Sequence, residues 1–149
     1  MSKYKKIFEV IWSDIDPNRH MRHSVYNDYA AQTRVSLFKD YDFSLEKVAR
    51  LGLGPILFRE ETRFFREINL SEIITVTCAI KSMHKNGSRW TFTHEIFKED
   101  STKAAQLTVD GAWLDLETRK LGTPSEEMME AIYRFPRTDD FYWSDKNSP

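Results

Sequence analysis

Apolar positions change their spacing twice along this chain, and each change marks a change of secondary structure. Ile7 to Trp12 is a short, apolar, strand-like run. From Ser24 to Asp40 the spacing turns helical: Tyr26, Tyr29, Ala30, Thr33 and Leu37 recur at i, i+3, i+4, i+7 and i+11, which places them on one face. A shorter helix is predicted from Leu45 to Leu51. Ser44 is its N-cap, Lys47 and Arg50 suit its negative end, and Gly52 and Gly54-Pro55 stop it.

The period then falls to two. Ile56 to Phe65 is charge-rich but carries aromatic and β-branched residues. Ile74, Val76, Cys78 and Ile80 alternate with Thr75, Thr77 and Ala79. Asn86-Gly87 separates that run from Trp90, Phe92, His94 and Ile96, a strong hairpin signal. Ala105, Leu107, Val109 and Gly111 form the next face. The apolar parity shifts to Leu114 and Leu116 near Gly111-Ala112, which suggests a β-bulge or bend there. Thr123-Pro124-Ser125-Glu126 reads as an N-cap, a Pro at N1 and a Glu at N3, opening a last helix from Ser125 to Tyr133.

This order predicts an α+β domain: a long helix wrapped by a five-stranded antiparallel sheet. One helix cannot cover both faces of such a sheet, so its other face or an edge strand is expected to meet a partner subunit. Residues 1–136 form the expected domain. Residues 137–149, polar but carrying Phe141-Tyr142-Trp143, are expected to be a tail that docks on something.

Composition narrows the function. A chain of 149 residues suits one domain with one core. The formal net charge of −1, with bases and acids interleaved, gives no field that would draw nucleic acid. Cys78 is the single cysteine, which excludes an intrachain disulfide and a zinc ribbon. No apolar run approaches the ~20 residues of a membrane span. The N-terminal residues do not read as a leader, so a cytoplasmic protein is expected.

Chemistry concentrates in one place. Asp14, Asp16, Asn18, His20 and His23 fall within ten residues, between the first strand and the long helix. A carboxylate beside a helix N-terminus suits acyl chemistry: Asp16 can act as nucleophile or general base while the amides of His23 to Tyr26 polarise a carbonyl. The alternative is that Asp14 and Asp16 simply cap loop turns. His20 and His23 could share a metal with Asp14 or Asp16, but no ligand motif is complete. A calcium loop fails, because Arg19 stands where Gly is needed and Val25 where Glu is needed. No Gly-x-Ser-x-Gly nucleophile elbow occurs. Cys78 and His94 lie on apolar faces and read as core residues, while Asp28, off the helical stripe, reads as exposed. Glu60, Glu61, Arg59, Arg63 and Arg66 read as cross-strand ion pairs. Lys85, Ser88 and Arg89 flank the hairpin turn, where they could grip a phosphate.

The chain resembles the hotdog-fold acyl-CoA thioesterases, in the branch of 4-hydroxybenzoyl-CoA thioesterase and its YbgC-like relatives. The likeness runs from Asp14-Ile-Asp16 through His23-Ser-Val-Tyr26 into the helix with Tyr29, Ala30 and Arg34. It continues through Arg63-Phe-Phe-Arg66-Glu and Gly111-Ala-Trp113-Leu-Asp115. The resemblance implies a hotdog fold in a homodimer or homotetramer, with the site at the subunit interface. It implies Asp16 as the catalytic carboxylate, His23 at the helix start whose backbone N–H meets the thioester carbonyl, and Tyr26 near the pocket. Asn18 is carried with them as a substrate-binding candidate, beside Lys85 and Arg89. Coenzyme A would be part of the substrate, so no retained cofactor and no metal are expected. Pro17-Asn18-Arg19 stands where the YbgC-like pattern has small residues and glycines, closer to relatives that read Asp-x-Asn-Gly-His. That departure motivates the alternative of a non-catalytic hotdog protein that binds acyl thioesters or acts as a scaffold. A hotdog hydratase fits less well, since its Asp/His or Glu/His pair is placed differently along the chain.

Overall fold

The structure is a computed structural model that describes residues 3–145; residues 1–2 and 146–149, the outer ends of the two expected segments, lie outside the described residues. Its elements are β1 (Tyr4–Glu9), α1 (Tyr26–Asp40), α2 (Leu45–Arg50), β2 (Leu53–Phe64), β3 (Ile73–His84), β4 (Arg89–Phe97), β5 (Lys103–Asp115), α3 (Glu126–Tyr133) and β6 (Arg137–Ser144). Single 3-10 turns at Trp12–Asp14 and His23–Val25 lead from β1 into α1.

The strands run β1-β3-β4-β5-β2 across one sheet, with every pair on this path antiparallel. These are the five expected strands. A sixth was not expected. Arg137–Ser144, set apart in the sequence as a docking tail, pairs in parallel with β3 from Ile80 to His84. β1 covers β3 from Ile73 to Cys78. The two strands therefore share one edge of β3 end to end.

α1 lies across the inner face of the sheet in two apolar clusters. Leu37 and Phe38 pack with Cys78, Phe92 and Trp113; Tyr26 and Ala30 pack with Val76, Ile96 and Leu107. The helix also buries Arg34, Ser36 and Phe38, so its covered face is broader than the predicted stripe. The outer edge of β2 has no partner strand among the described residues. Leu57, Phe58 and Phe64 on β2 stay 45%, 42% and 52% exposed.

Local signals held where a side chain satisfies a backbone group. Ser44 Oγ accepts from Lys47 N at 3.2 Å and caps α2. Asn86-Gly87 closes the β3–β4 hairpin, with Gly87 at φ 81°. Three expectations shift. The first strand sits at Tyr4–Glu9 rather than Ile7–Trp12, because Asp14 N bonds to Ile11 O and curls the chain away from the sheet. The cap of α3 is Ser125 rather than Thr123: Ser125 Oγ accepts from Met128 N at 3.3 Å, and the helix opens at Glu126. The bulge belongs to β2, where Phe58 is the extra residue between the pairs Leu57↔Gly111 and Arg59↔Asp110. Gly111 faces it because a Cβ there would collide with Ile56 O and the Trp90 ring.

Candidate functional site

Ile15 and Met21 pair as a small antiparallel bridge, and the chain between them turns tightly. Asp16 N donates to His20 O at 2.9 Å and Arg19 N donates to Asp16 O at 2.9 Å. This is a three-residue hairpin loop, Pro17-Asn18-Arg19, whose last position requires a left-handed residue and usually holds Gly. Here Arg19 takes it, at φ 70°.

The loop holds Asp16 by one oxygen. Oδ1 accepts from Asn18 N at 2.9 Å and from His20 N at 3.3 Å. The turn-capping alternative is therefore realised by Oδ1, while Oδ2 has no hydrogen bond to the described residues. Asn18 contributes its backbone amide to this anchor; its side chain is exposed on the loop. Neighbouring groups fix the loop from outside. Tyr29 O–H donates to Asp14 Oδ2 at 2.6 Å, which engages Asp14 as a support. His20 Nε2 meets Glu67 Oε2 at 2.7 Å, and Met21 N donates to Ile68 O at 2.7 Å, tying the loop to the segment after β2.

His23 opens the 3-10 turn that runs into α1 and is exposed. The amides of His23 and Ser24 carry no backbone hydrogen bond among the described residues, as expected at a helix start, and α1 adds fifteen residues of aligned peptide dipoles behind them.

Asp16, His20, His23 and Tyr26 line one side of a cleft of about 330 Å³, and Phe64, Phe65 and Arg66 line the other. Tyr26 is buried and meets the Phe64 ring edge-on, centroids 4.9 Å apart. Burial, and then the negative charge of Asp16, pushes the Tyr26 phenol up to about 12, so it stays an O–H donor.

Lys85 and Arg89 are not part of this cleft. Lys85 is exposed, with Nζ 3.8 Å from Asp145. Arg89 lines a separate cleft beside β6. The strip after β2 also differs from the predicted ion pairs. Arg59 pairs with Glu61 at 2.7 Å on its own strand and with Asp110 across at 3.4 Å. Arg63 lies over the Phe65 ring at 5.5 Å, and Arg66 Nη1 donates to Phe65 O at 2.7 Å. Periodicity gave Phe64, Phe65 and Arg66 no special role. Their one signal was their place in the resemblance.

Residues 10–132 match the family model of the thioesterase-like superfamily. The chain belongs to that superfamily. No curated protein matches it. Among solved structures, this thioesterase-like protein is similar to a Staphylococcus aureus protein determined in complex with CoA, with a TM-score of 0.82, 22% identity, and 97% and 90% of the two chains covered. It is also similar to a 1,4-dihydroxy-2-naphthoyl-CoA thioesterase from Synechocystis, with a TM-score of 0.79, 16% identity, and 89% and 97% covered. A DHNA-CoA thioesterase from Staphylococcus aureus gives a TM-score of 0.82 at 16% identity over 90% and 91%. The architecture they share is the hotdog fold, an antiparallel sheet around a long helix. Among the described residues, no helix is long and apolar enough to cross a membrane.

Proposed function

We propose that this protein hydrolyses an acyl-CoA thioester to the free acid and CoA, in the manner of the 4-hydroxybenzoyl-CoA and YbgC-like branch. One observation carries the reading: Asp16, whose Oδ2 has no hydrogen bond to the described residues, and His23, which opens the turn into α1, line the same cleft.

The thioester carbonyl carbon sits against Asp16, with its oxygen toward the helix start. Asp16 either attacks that carbon, forming a mixed anhydride that water then opens, or takes a proton from a water that attacks it. In both routes the carbonyl π electrons move to oxygen, and the His23 and Ser24 amides with the α1 dipole stabilise the oxyanion. Collapse expels the CoA thiolate; in the direct route it takes the proton that the attacking water gave to Asp16, and in the anhydride route it is expelled first and is protonated by the proton released when water opens the anhydride. Tyr26, kept protonated, donates to the acyl group or its carbonyl, and the His23 side chain assists at the mouth. Asn18 holds Asp16 through its amide. Lys85 and Arg89 serve the carrier end of the substrate, away from the reacting carbon.

The exposed edge of β2, with Leu57, Phe58 and Phe64, is where a second copy of the chain would join to make a homodimer or homotetramer. The Arg19 turn that motivated a non-catalytic protein closes without distorting the anchor of Asp16, so it gives that alternative no support.

The test is thiol release over a panel of CoA thioesters, wild type against Asp16→Asn. Asn retains an acceptor for the loop amides but cannot attack or take the proton. A loss of about 10²–10³ in kcat is expected. Release by Asp16→Asn at the wild-type rate overturns the assignment.

A further inference from the structure

The Arg89 cleft, about 350 Å³, opens on the face of the sheet turned away from α1. Its floor is one lateral row. Tyr142, Ser82, Thr91, Asp110 and Arg59 are successive cross-strand partners from β6 through β3, β4 and β5 to β2. They alternate with Trp90, Phe92 and Val109, which pack in the core beside Phe38 of α1. β6 supplies one wall and lies beyond the residues matched by the family model.

Arg89 lines this cleft and has no counter-charge among the described residues. Its Cζ sits 5.4 Å over the ring of Phe58, the bulge residue of β2. Nη1 is buried and hydrogen-bonds to none of the described residues. The one carboxylate in the row is already engaged: Asp110 Oδ1 accepts from Thr91 Oγ1 at 2.7 Å, and Oδ2 lies 3.4 Å from Arg59 Nη1. Two more donors border the same space. His84 Nδ1 accepts from Asn86 N at 3.1 Å, which leaves the Nε2 side of the ring open. Ser82 is 8% exposed, and its hydroxyl has no hydrogen bond to the described residues. A buried guanidinium nitrogen with no partner carries a large desolvation cost, and an oxyanion relieves it.

We propose that this cleft is a phosphate-binding site. Arg89 Nη1 comes from β4, and His84 Nε2 and the Ser82 hydroxyl come from the end of β3, three donors that suit an anion with several acceptor oxygens. The volume exceeds what one phosphate fills, and Phe58 and Tyr142 give it aromatic walls, so the phosphate is carried on a larger organic group. Two sources share this chemistry: the phosphates of a CoA substrate, a reading that rests on the proposed thioesterase activity, and a free phosphorylated metabolite.

The experiment titrates the full-length protein with adenosine 3′,5′-bisphosphate by calorimetry, against Arg89→Gln and Ser82→Ala, with thermal midpoints recorded as the folding control. Binding that weakens at least about tenfold in both variants supports the site. A wild type that binds no better than Arg89→Gln overturns it, as does a loss confined to a variant whose midpoint collapses. A second arm compares kcat/KM for one acyl group on CoA and on N-acetylcysteamine, which has no phosphate. If Arg89→Gln cuts the preference for CoA about tenfold, the phosphate is that of the substrate. If probe binding is lost and the preference stays, the ligand is a separate phosphorylated metabolite. If no thioester is hydrolysed, the thioesterase reading falls while the calorimetry still decides this one.

Discussion

Nη1 of Arg34 on α1 lies 2.9 Å from Nε2 of His94 on β4, and both side chains are closed off, at 6% and 0% exposure. The other ring nitrogen of His94, Nδ1, lies 2.9 Å from Thr77 O. The carbonyl can only accept, so Nδ1 carries the proton and Nε2 accepts from the guanidinium. No carboxylate among the described residues comes within ion-pair distance of Arg34; Glu60 acts on it only through space. Burial, reinforced by the Arg34 charge, holds His94 down to about 3.

That depression makes stability depend on pH. Above about 6.5, His94 is neutral in both folded and unfolded chains, and its contribution is complete. Between about 6.5 and about 3 the unfolded chain binds a proton that the folded chain refuses, so stability falls as pH falls. The expected slope from this site approaches ~1.4 kcal/mol per pH unit. Urea unfolding at a series of pH values checks it: His94→Gln, which can still accept from Arg34, should flatten the profile within that window. A variant as steep as the wild type contradicts the assignment.

Asp16 has two tasks that substitution can separate. Asp16→Asn keeps an Oδ1 acceptor for the Asn18 and His20 amides, whereas Asp16→Ala leaves both without it. Both variants should lose turnover, but only Asp16→Ala should also lose about 1–2 kcal/mol of stability. Equal denaturation midpoints for the two would show that the Oδ1 anchor contributes nothing.

Arg19 occupies a left-handed position at φ 70°. A non-glycine residue there costs about 1–2 kcal/mol, and glycine returns part of that through its greater freedom in the unfolded chain. Arg19→Gly should therefore stabilise the protein by about 0.5–1 kcal/mol in urea unfolding. A destabilised Arg19→Gly would mean that the Arg19 side chain holds the loop.

β6 should be part of the folded unit. Phe141 and Trp143 pack against the main core cluster, and the Trp143 ring meets Tyr133 of α3 at 5.6 Å. Arg137 lies over Phe141 at 4.5 Å. Trp143→Ala should cost about 2 kcal/mol, in keeping with a half-buried aromatic. Ending the chain after Pro136 should cost more, because it also opens the β3 edge from Ile80 to His84. Unchanged thermal midpoints in both would make β6 an appendage.

The sequence by itself determined what depends on neighbours a few residues apart. The helical spacing of Tyr26, Ala30 and Leu37, the Ser44 cap, the Asn86-Gly87 turn and the alternation of Val76, Cys78 and Ile80 are local, and each element formed where it was read to within a few residues. The closeness of Asp16, His20 and His23 was legible for the same reason, since one loop brings these three to one cleft, while Asp14 lines another. Tertiary structure decided the rest. β6 pairs in parallel with a strand more than fifty residues earlier, and a polar segment with three aromatics carries no local mark of such a partner. Arg34 lies a turn from Ala30 on the helix, but its burial is a tertiary matter, because β4 presents a neutral imidazole to it across the core. Phe64 and Arg66 join the Asp16 cleft, and Arg89 leaves it, because the sheet register sets which strand ends meet. Periodicity fixes which face of a strand is apolar. The face that becomes a site depends on contacts between distant parts of the chain, which composition and spacing do not encode.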